Sequence, residues 1–373
     1  MKKLFLTLVI ALSVVSLSVQ AAKKPVVQMA ILLDTSGSMQ GLIEQAKAQL
    51  WSIVNEMAKT KKEGISPKLE IALYEYGKST IPKSEGYLRM ILPFTTDLDS
   101  ISEELFKLKT NGGEEYCGTV IQSAVKNLRW TKNSKDYKSI FVAGNEPFTQ
   151  GKISYEKSCK LAIRNGIIIN TIFCGNKKAG VQTKWKDGAD LADGQYMNID
   201  HNKVAQQIKT PYDKDILKLN QKLNQTYIPM GTVGAAKKSR QSKQDSNAKS
   251  LSPSVLVERS VAKASSRYKN ESWDLIDATL ADNEVLEKIS DLQLPANLRG
   301  KSNEEIKQYI QKMNLQRKSF QKEIQALSQK RQSYILKKRK KAGQDNTLEQ
   351  AMLKSIQKQL HLKGFKTESG ESK

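Results

Sequence analysis

The sequence predicts an α/β fold: a doubly wound, mostly parallel six-stranded sheet followed by an α-helical C-terminal region. Three observations carry that expectation. Short apolar runs without polar alternation recur at Val26 to Leu33, Ser139 to Ala143 and Gly166 to Cys174, the pattern of strands buried on both faces of a parallel sheet. Helical periodicities fall between them, so that strand and helix alternate from Val26 to about Lys209 and cover both faces of one sheet. From Glu304 the spacing changes to a heptad that only a long helix explains.

Taken in order, residues 1–21 have the form of a signal peptide. Lys2 and Lys3 precede the apolar stretch LFLTLVIALSVVSLSV, and Val19-Gln20-Ala21 offers small residues for cleavage. The stretch is short for a membrane span, and no other segment approaches that length, so an exported protein, periplasmic or secreted, is expected. No cysteine sits at the cleavage site, so no lipid anchor is expected. Cys117, Cys159 and Cys174 suit neither a zinc site nor a redox pair by spacing; export permits a disulfide but leaves at least one thiol unpaired, and Cys159 and Cys174 are expected as small core hydrophobes.

After the first strand, Leu42, Ile43, Ala46, Leu50, Ile53, Val54 and Met57 mark a helix. LEIALYEY is the second strand, and Tyr87 to Phe94 suits an antiparallel edge strand. Asp97 or Asp99 can cap a helix carrying Ile101, Leu105 and Leu108. Asn111-Gly112-Gly113 breaks the chain before a helix from about Thr119 to Trp130. Ser154 to Arg164 is a further helix, Gly175 to Gly188 an irregular basic connector, Gln195 to Ile199 the last strand, and Lys203 to Ile208 a closing helix. These bounds place the first domain at 22–210. A linker or packing segment follows at 211–253: Tyr227-Ile228-Pro229 can pack back on the first domain, and Gly231 to Ser254 is expected as a linker or a mobile segment.

The helical region spans 254–373, with helices expected at Ser254 to Lys269 and Thr347 to Leu362 and a heptad-patterned helix at 304–341. Its seam is Ile306, Ile310, Met313, Arg317, Phe320, Ile324, Leu327, Arg331 and Tyr334. Internal pairing, against Ser254 to Lys269 or Leu348 to Leu360, is preferred over pairing between chains. The two arginines either snorkel outward or meet carboxylates, and they are expected to discourage deep burial.

Where the first strand stops, Asp34, Ser36 and Ser38 place one carboxylate and two hydroxyls at a strand end, where ligands of open α/β sheets bind. Such oxygens suit Mg²⁺, or Mn²⁺ or Ca²⁺, better than zinc. DTSGSM after a buried strand resembles the metal-ion-dependent adhesion site (MIDAS) of von Willebrand factor A-type (vWA) domains. The resemblance covers the first domain only, and the GGEEYCG and GNEPFTQG runs are similar to those of exported bacterial vWA proteins. It implies a divalent cation held by Asp34, Ser36 and Ser38, with a further ligand from the loop before Thr119: Glu115 first, then Glu114 or Thr119. Most vWA domains read Thr-Asp-Gly after the fourth strand. Here Ala143-Gly144-Asn145 stands there, so Gly144 replaces the usual acid, and the Asn145 amide or the Glu115 carboxylate is left to compensate.

Hydrolase patterns such as GxSxG and HExxH are absent, and the two histidines, His201 and His361, lie near no nucleophile motif. GKST at Gly77 to Thr80 lacks the spacing of a phosphate loop. The expectation is a non-enzymatic protein that captures a partner's carboxylate through the bound cation. A formal charge of +23, with 61 Lys and Arg against 38 Asp and Glu, supports a second reading. In it the C-terminal helices form a basic scaffold, with Lys337 to Lys341 contacting an anionic polymer or surface. No aromatic-interleaved basic motif points to nucleic acid.

Overall fold

The computed structural model describes residues 24–199, 208–341 and 348–367. The signal peptide expected at 1–21, His201, and all but the last residue of the helix expected at Lys203 to Ile208 lie outside them. Before residue 200 the chain holds β1 (Val26–Asp34), α1 (Gln40–Ala58), β2 (Thr60–Lys61), β3 (Lys68–Tyr76), β4 (Leu88–Thr95), α2 (Leu98–Lys107), α3 (Cys117–Asn127), β5 (Tyr137–Gly144), α4 (Tyr155–Arg164), β6 (Ile168–Cys174), α5 (Lys177–Gln182), α6 (Trp185–Asp190) and β7 (Tyr196–Ile199). The second half holds α7 (Asp213–Gln225), α8 (Gly231–Leu251), α9 (Pro253–Lys263), α10 (Leu275–Ala281), α11 (Val285–Lys288), α12 (Asn303–Lys341), α13 (Leu348–Leu362) and β8 (Lys366–Thr367).

Six strands form the sheet in the order β4-β3-β1-β5-β6-β7. All neighbours pair in parallel except the edge strand β4, which runs antiparallel to β3. The apolar run of β1 supplies both faces: Val27, Met29 and Leu33 join the core under α1, while Ala30 and Leu32 join the core under α3 and α4. That division is why the strand shows no polar alternation. Asp97 caps α2 through the Ser100 amide, at 3.0 Å.

Three expectations are corrected. Gly231 to Ser254 is not a linker: α8 spans nearly all of it, burying Gln241, Gln244 and Ala248 instead of an apolar stripe. Gly175 to Gly188 is not irregular, since α5 and most of α6 occupy it. The heptad arginines do not resist burial. Arg317 and Arg331 are each 3 % exposed, because carboxylates reach them. Arg317 meets Asp274 at 2.7 Å and Asp277 at 3.1 Å, and stacks 4.2 Å from the Tyr227 ring. Arg331 meets Asp213 at 3.0 Å and Glu258. Arg317 also donates to Thr226 at the end of α7, while Arg331 reaches Asp213 at its start, so α12 and α7 lie antiparallel. The pairing is internal, with α7 rather than the helices named from sequence as the chief partner.

The helical half is folded onto the sheet. Arg259, on α9, is fully buried between Asp99 of α2 and Asp245 of α8, each at 2.6 Å. Gln359 of α13 accepts from Tyr137 Oη at 2.7 Å and donates to Asn170 at 2.7 Å, both in the sheet. β8 then pairs antiparallel with β2.

Candidate functional site

At the end of β1 the Asp34 carboxylate is fully buried. Its Oδ1 accepts from the Ser36 amide at 2.7 Å, the short-range turn that Asp commonly makes. Its Oδ2 has no partner, and neither does the buried Ser36 hydroxyl. Ser38 lies exposed in the turn that leads into α1, and its Oγ accepts from Asn145 Nδ2 at 3.0 Å. The other end of that amide, Asn145 Oδ1, is buried without a donor.

The loop before α3 is stitched to these strand ends through its backbone. The Asn111 amide donates to Thr35 O at 2.9 Å and the Ser79 amide to Gly112 O at 2.7 Å. A Cβ on Gly113 would lie 2.6 Å from Gly77 O, so the approach requires glycine. Held this way, Glu115 is buried, and its amide donates to Gln150 Oε1 at 2.8 Å. Gly77, with φ +77°, separates the two acids: a Cβ there would sit 2.7 Å from Asp34 Oδ1 and 2.9 Å from Glu115 Cγ. The other loop candidates are elsewhere. Glu114 is exposed and accepts from Tyr116 Oη, and Thr119 packs its methyl toward Gly86. The structure therefore brings Asp34, Ser36, Ser38, Glu115 and Asn145 to one strand-end cluster.

Gly144, where the acid would stand, has no room for one. A Cβ there would lie 2.6 Å from Tyr76 Oη, 3.0 Å from Asp34 Oδ2 and 3.1 Å from the Trp185 ring. Tyr76 is fully buried and donates to Ala143 O at 2.9 Å; Trp185, also fully buried, donates to Glu146 O at 2.8 Å. Sequence reasoning missed Tyr76, Trp185, Gly77 and Gln150. The one available signal was Tyr76-Gly77, a bulky residue and a turn-former directly after the second buried run.

Burial raises the Asp34 pKa to about 7; Glu115 and Glu146 add to the rise, and the Ser36 amide opposes it. Glu115 is raised to about 7 as well, by burial and then by Glu146 and Glu114. Among the described residues no three His, Cys, Asp or Glu side chains converge as a metal cluster. The donor set is two carboxylates supplemented by hydroxyl and amide oxygens. Three of those oxygens are buried and orphaned, which in a folded protein calls for an explanation such as a bound ion.

No family model and no curated protein matches the chain. Solved structures do. BatB from Bacteroides thetaiotaomicron matches at 17 % identity over 47 % of this chain and 90 % of that one, with a TM-score of 0.36. The SpRpn10 VWA domain matches at 16 % identity over 47 % and 88 %, with a TM-score of 0.35. The pilus adhesin SpaC from Lactobacillus rhamnosus GG matches at 14 % identity over 48 % and 28 %, with a TM-score of 0.35. Each of these matches covers about half of this chain.

Proposed function

We propose that the protein is a binding protein whose strand-end site holds a divalent cation, Mg²⁺ in the first place, and uses it to capture a carboxylate of a protein partner. One observation carries the reading: Asp34 Oδ2, Ser36 Oγ and Asn145 Oδ1 are buried oxygens without partners around a single strand end. Hard oxygen donors of this kind match Mg²⁺, Mn²⁺ or Ca²⁺. A bound cation supplies the charge that offsets Asp34 and Glu115 and an open position for an anionic oxygen. Asp34, Ser36, Ser38, Glu115 and Asn145 are its ligands, Asp34 directly or through water.

Binding rather than turnover fits the rest of the chain. Burial pushes all three cysteine thiols up, which leaves no thiolate nucleophile. His361, the described histidine, is exposed on α13. Among the described residues no helix is long and apolar enough to cross a membrane. Calorimetric titration of the chain from Lys24 with Mg²⁺ and Mn²⁺ tests the proposal. Heat of binding that disappears in Asp34→Ala is expected; equal heats in both proteins would defeat it.

A further inference from the structure

We propose that the solvent face of α12 is a docking ridge for an anionic lipid surface. The helix runs for 39 residues, about 58 Å at 1.5 Å per residue. Its seam, through Ile306, Ile310, Ile324 and the two paired arginines, is buried. On the side away from the seam stand Lys312, Lys318, Lys322, Lys330, Lys337 and Lys340, all exposed. Each of the paired arginines has its carboxylates, but among the described residues none of these six lysines makes an ion pair. Between Gln311 and Lys340 the one acidic residue is Glu323, which accepts from the Ser319 hydroxyl of its own helix. The row is therefore an uncompensated line of positive charge along one helix.

Two further residues select the occupant. Leu315 is 69 % exposed and Leu336 is 59 % exposed, and both lie on the lysine side of the helix. A dissolved polyanion makes no use of exposed leucines, whereas a bilayer takes the ammonium groups at its headgroups and the leucines among its upper acyl carbons. A helix of 39 residues can lie along such a surface for several turns. The charge and the apolar residues belong to the same face, and neither is needed for the internal packing of α12.

Vesicle cosedimentation tests the ridge, with the chain from Lys24 so that the apolar leader contributes nothing. Phosphatidylglycerol vesicles are expected to carry the protein down and phosphatidylcholine vesicles to leave it in solution. Binding should fall steeply between ~0.05 and ~0.5 M salt, as the screening length shortens. Each lysine near an anionic surface contributes roughly fivefold in affinity, so Lys322→Gln, Lys330→Gln and Lys337→Gln together should cost about a hundredfold. Those positions are exposed, so an unchanged Tm is expected and separates lost binding from lost folding. Leu315→Ser with Leu336→Ser should weaken vesicle binding and leave any binding of soluble polyphosphate unchanged. Vesicle binding that survives the triple substitution, or a chain that binds polyphosphate but no vesicle, overturns the proposal. So does vesicle binding abolished by EDTA, which would assign it to the strand-end site. Failure of the cation titration alone leaves the ridge untouched.

Discussion

The Tyr76 hydroxyl occupies the seat of a side chain at Gly144: it lies 2.6 Å from the position a Cβ would take. The two residues are therefore coupled, and an acid cannot be restored at 144 by substitution there alone. Gly144→Asp is expected to destabilise the protein by about 1–3 kcal/mol through overpacking. Adding Tyr76→Phe removes the nearest clash and should recover part of that loss, though Asp34 and Trp185 still crowd the site. Thermal unfolding of the two single variants and the double variant reads the coupling; additive losses would show that the hydroxyl is not what excludes the acid.

Asp34 is a buried carboxylate with one oxygen unpartnered. Without a cation its charge is a cost to folding, so Asp34→Asn should raise the Tm of the metal-free protein and remove the stabilisation that Mg²⁺ gives the native chain. The gain, on the order of 1–3 kcal/mol, comes from removing the buried charge, since the amide still leaves one polar atom unpartnered. Calorimetric scans with and without Mg²⁺ decide it. A variant less stable than the metal-free native chain would show that Asp34 is there for packing instead.

Asp245 gives the fold an acid-sensitive joint. Burial alone would raise its pKa, but Lys263 and Arg259 beside it hold the carboxyl well below the usual range. A depressed folded-state pKa means that its stabilisation is present above the unfolded value of about 3.9 and is lost as pH falls below it. Hydrogen exchange across α8 and α9 should accelerate below about pH 4 before the sheet opens. Asp245→Asn should cost about 3–5 kcal/mol at neutral pH, by leaving Lys263 and Arg259 short of charge, and should flatten that acid response.

Gln359 serves two buried sheet groups at once, Tyr137 Oη and Asn170. Gln359→Leu leaves both short of a partner, for an expected loss of about 1–3 kcal/mol in chemical denaturation. A neutral result would mean that α13 is held by its apolar contacts alone.

Much of the sheet was legible because its strands are short apolar runs, and that signal is local. Asp34, Ser36 and Ser38 follow one of those runs and were legible for the same reason. What stayed hidden depends on partners distant in the chain. Tyr76 meets Gly144 across 68 positions, and no local pattern marks a seat that is already filled. Helix α8 escaped because its buried side chains include Gln241 and Gln244, which bond Tyr268 and Ser102 instead of forming an apolar stripe. The sequence leaves Arg317 to snorkel outward or to meet a carboxylate, and nothing within its own heptads announces Asp274, more than forty residues away.

The pairing of Thr60 with Thr367 sets an order of events on the chain's assembly. Phe365 is buried just before that last strand, and Gln357 reaches Glu56 across 301 residues. Contacts of such long range form late, because a large loop must close before they repay anything. A chain without α13 and β8 therefore leaves Tyr137 and Asn170 of the sheet uncovered beside α1. Molecules cut before α13 should therefore aggregate or be degraded faster than the intact chain.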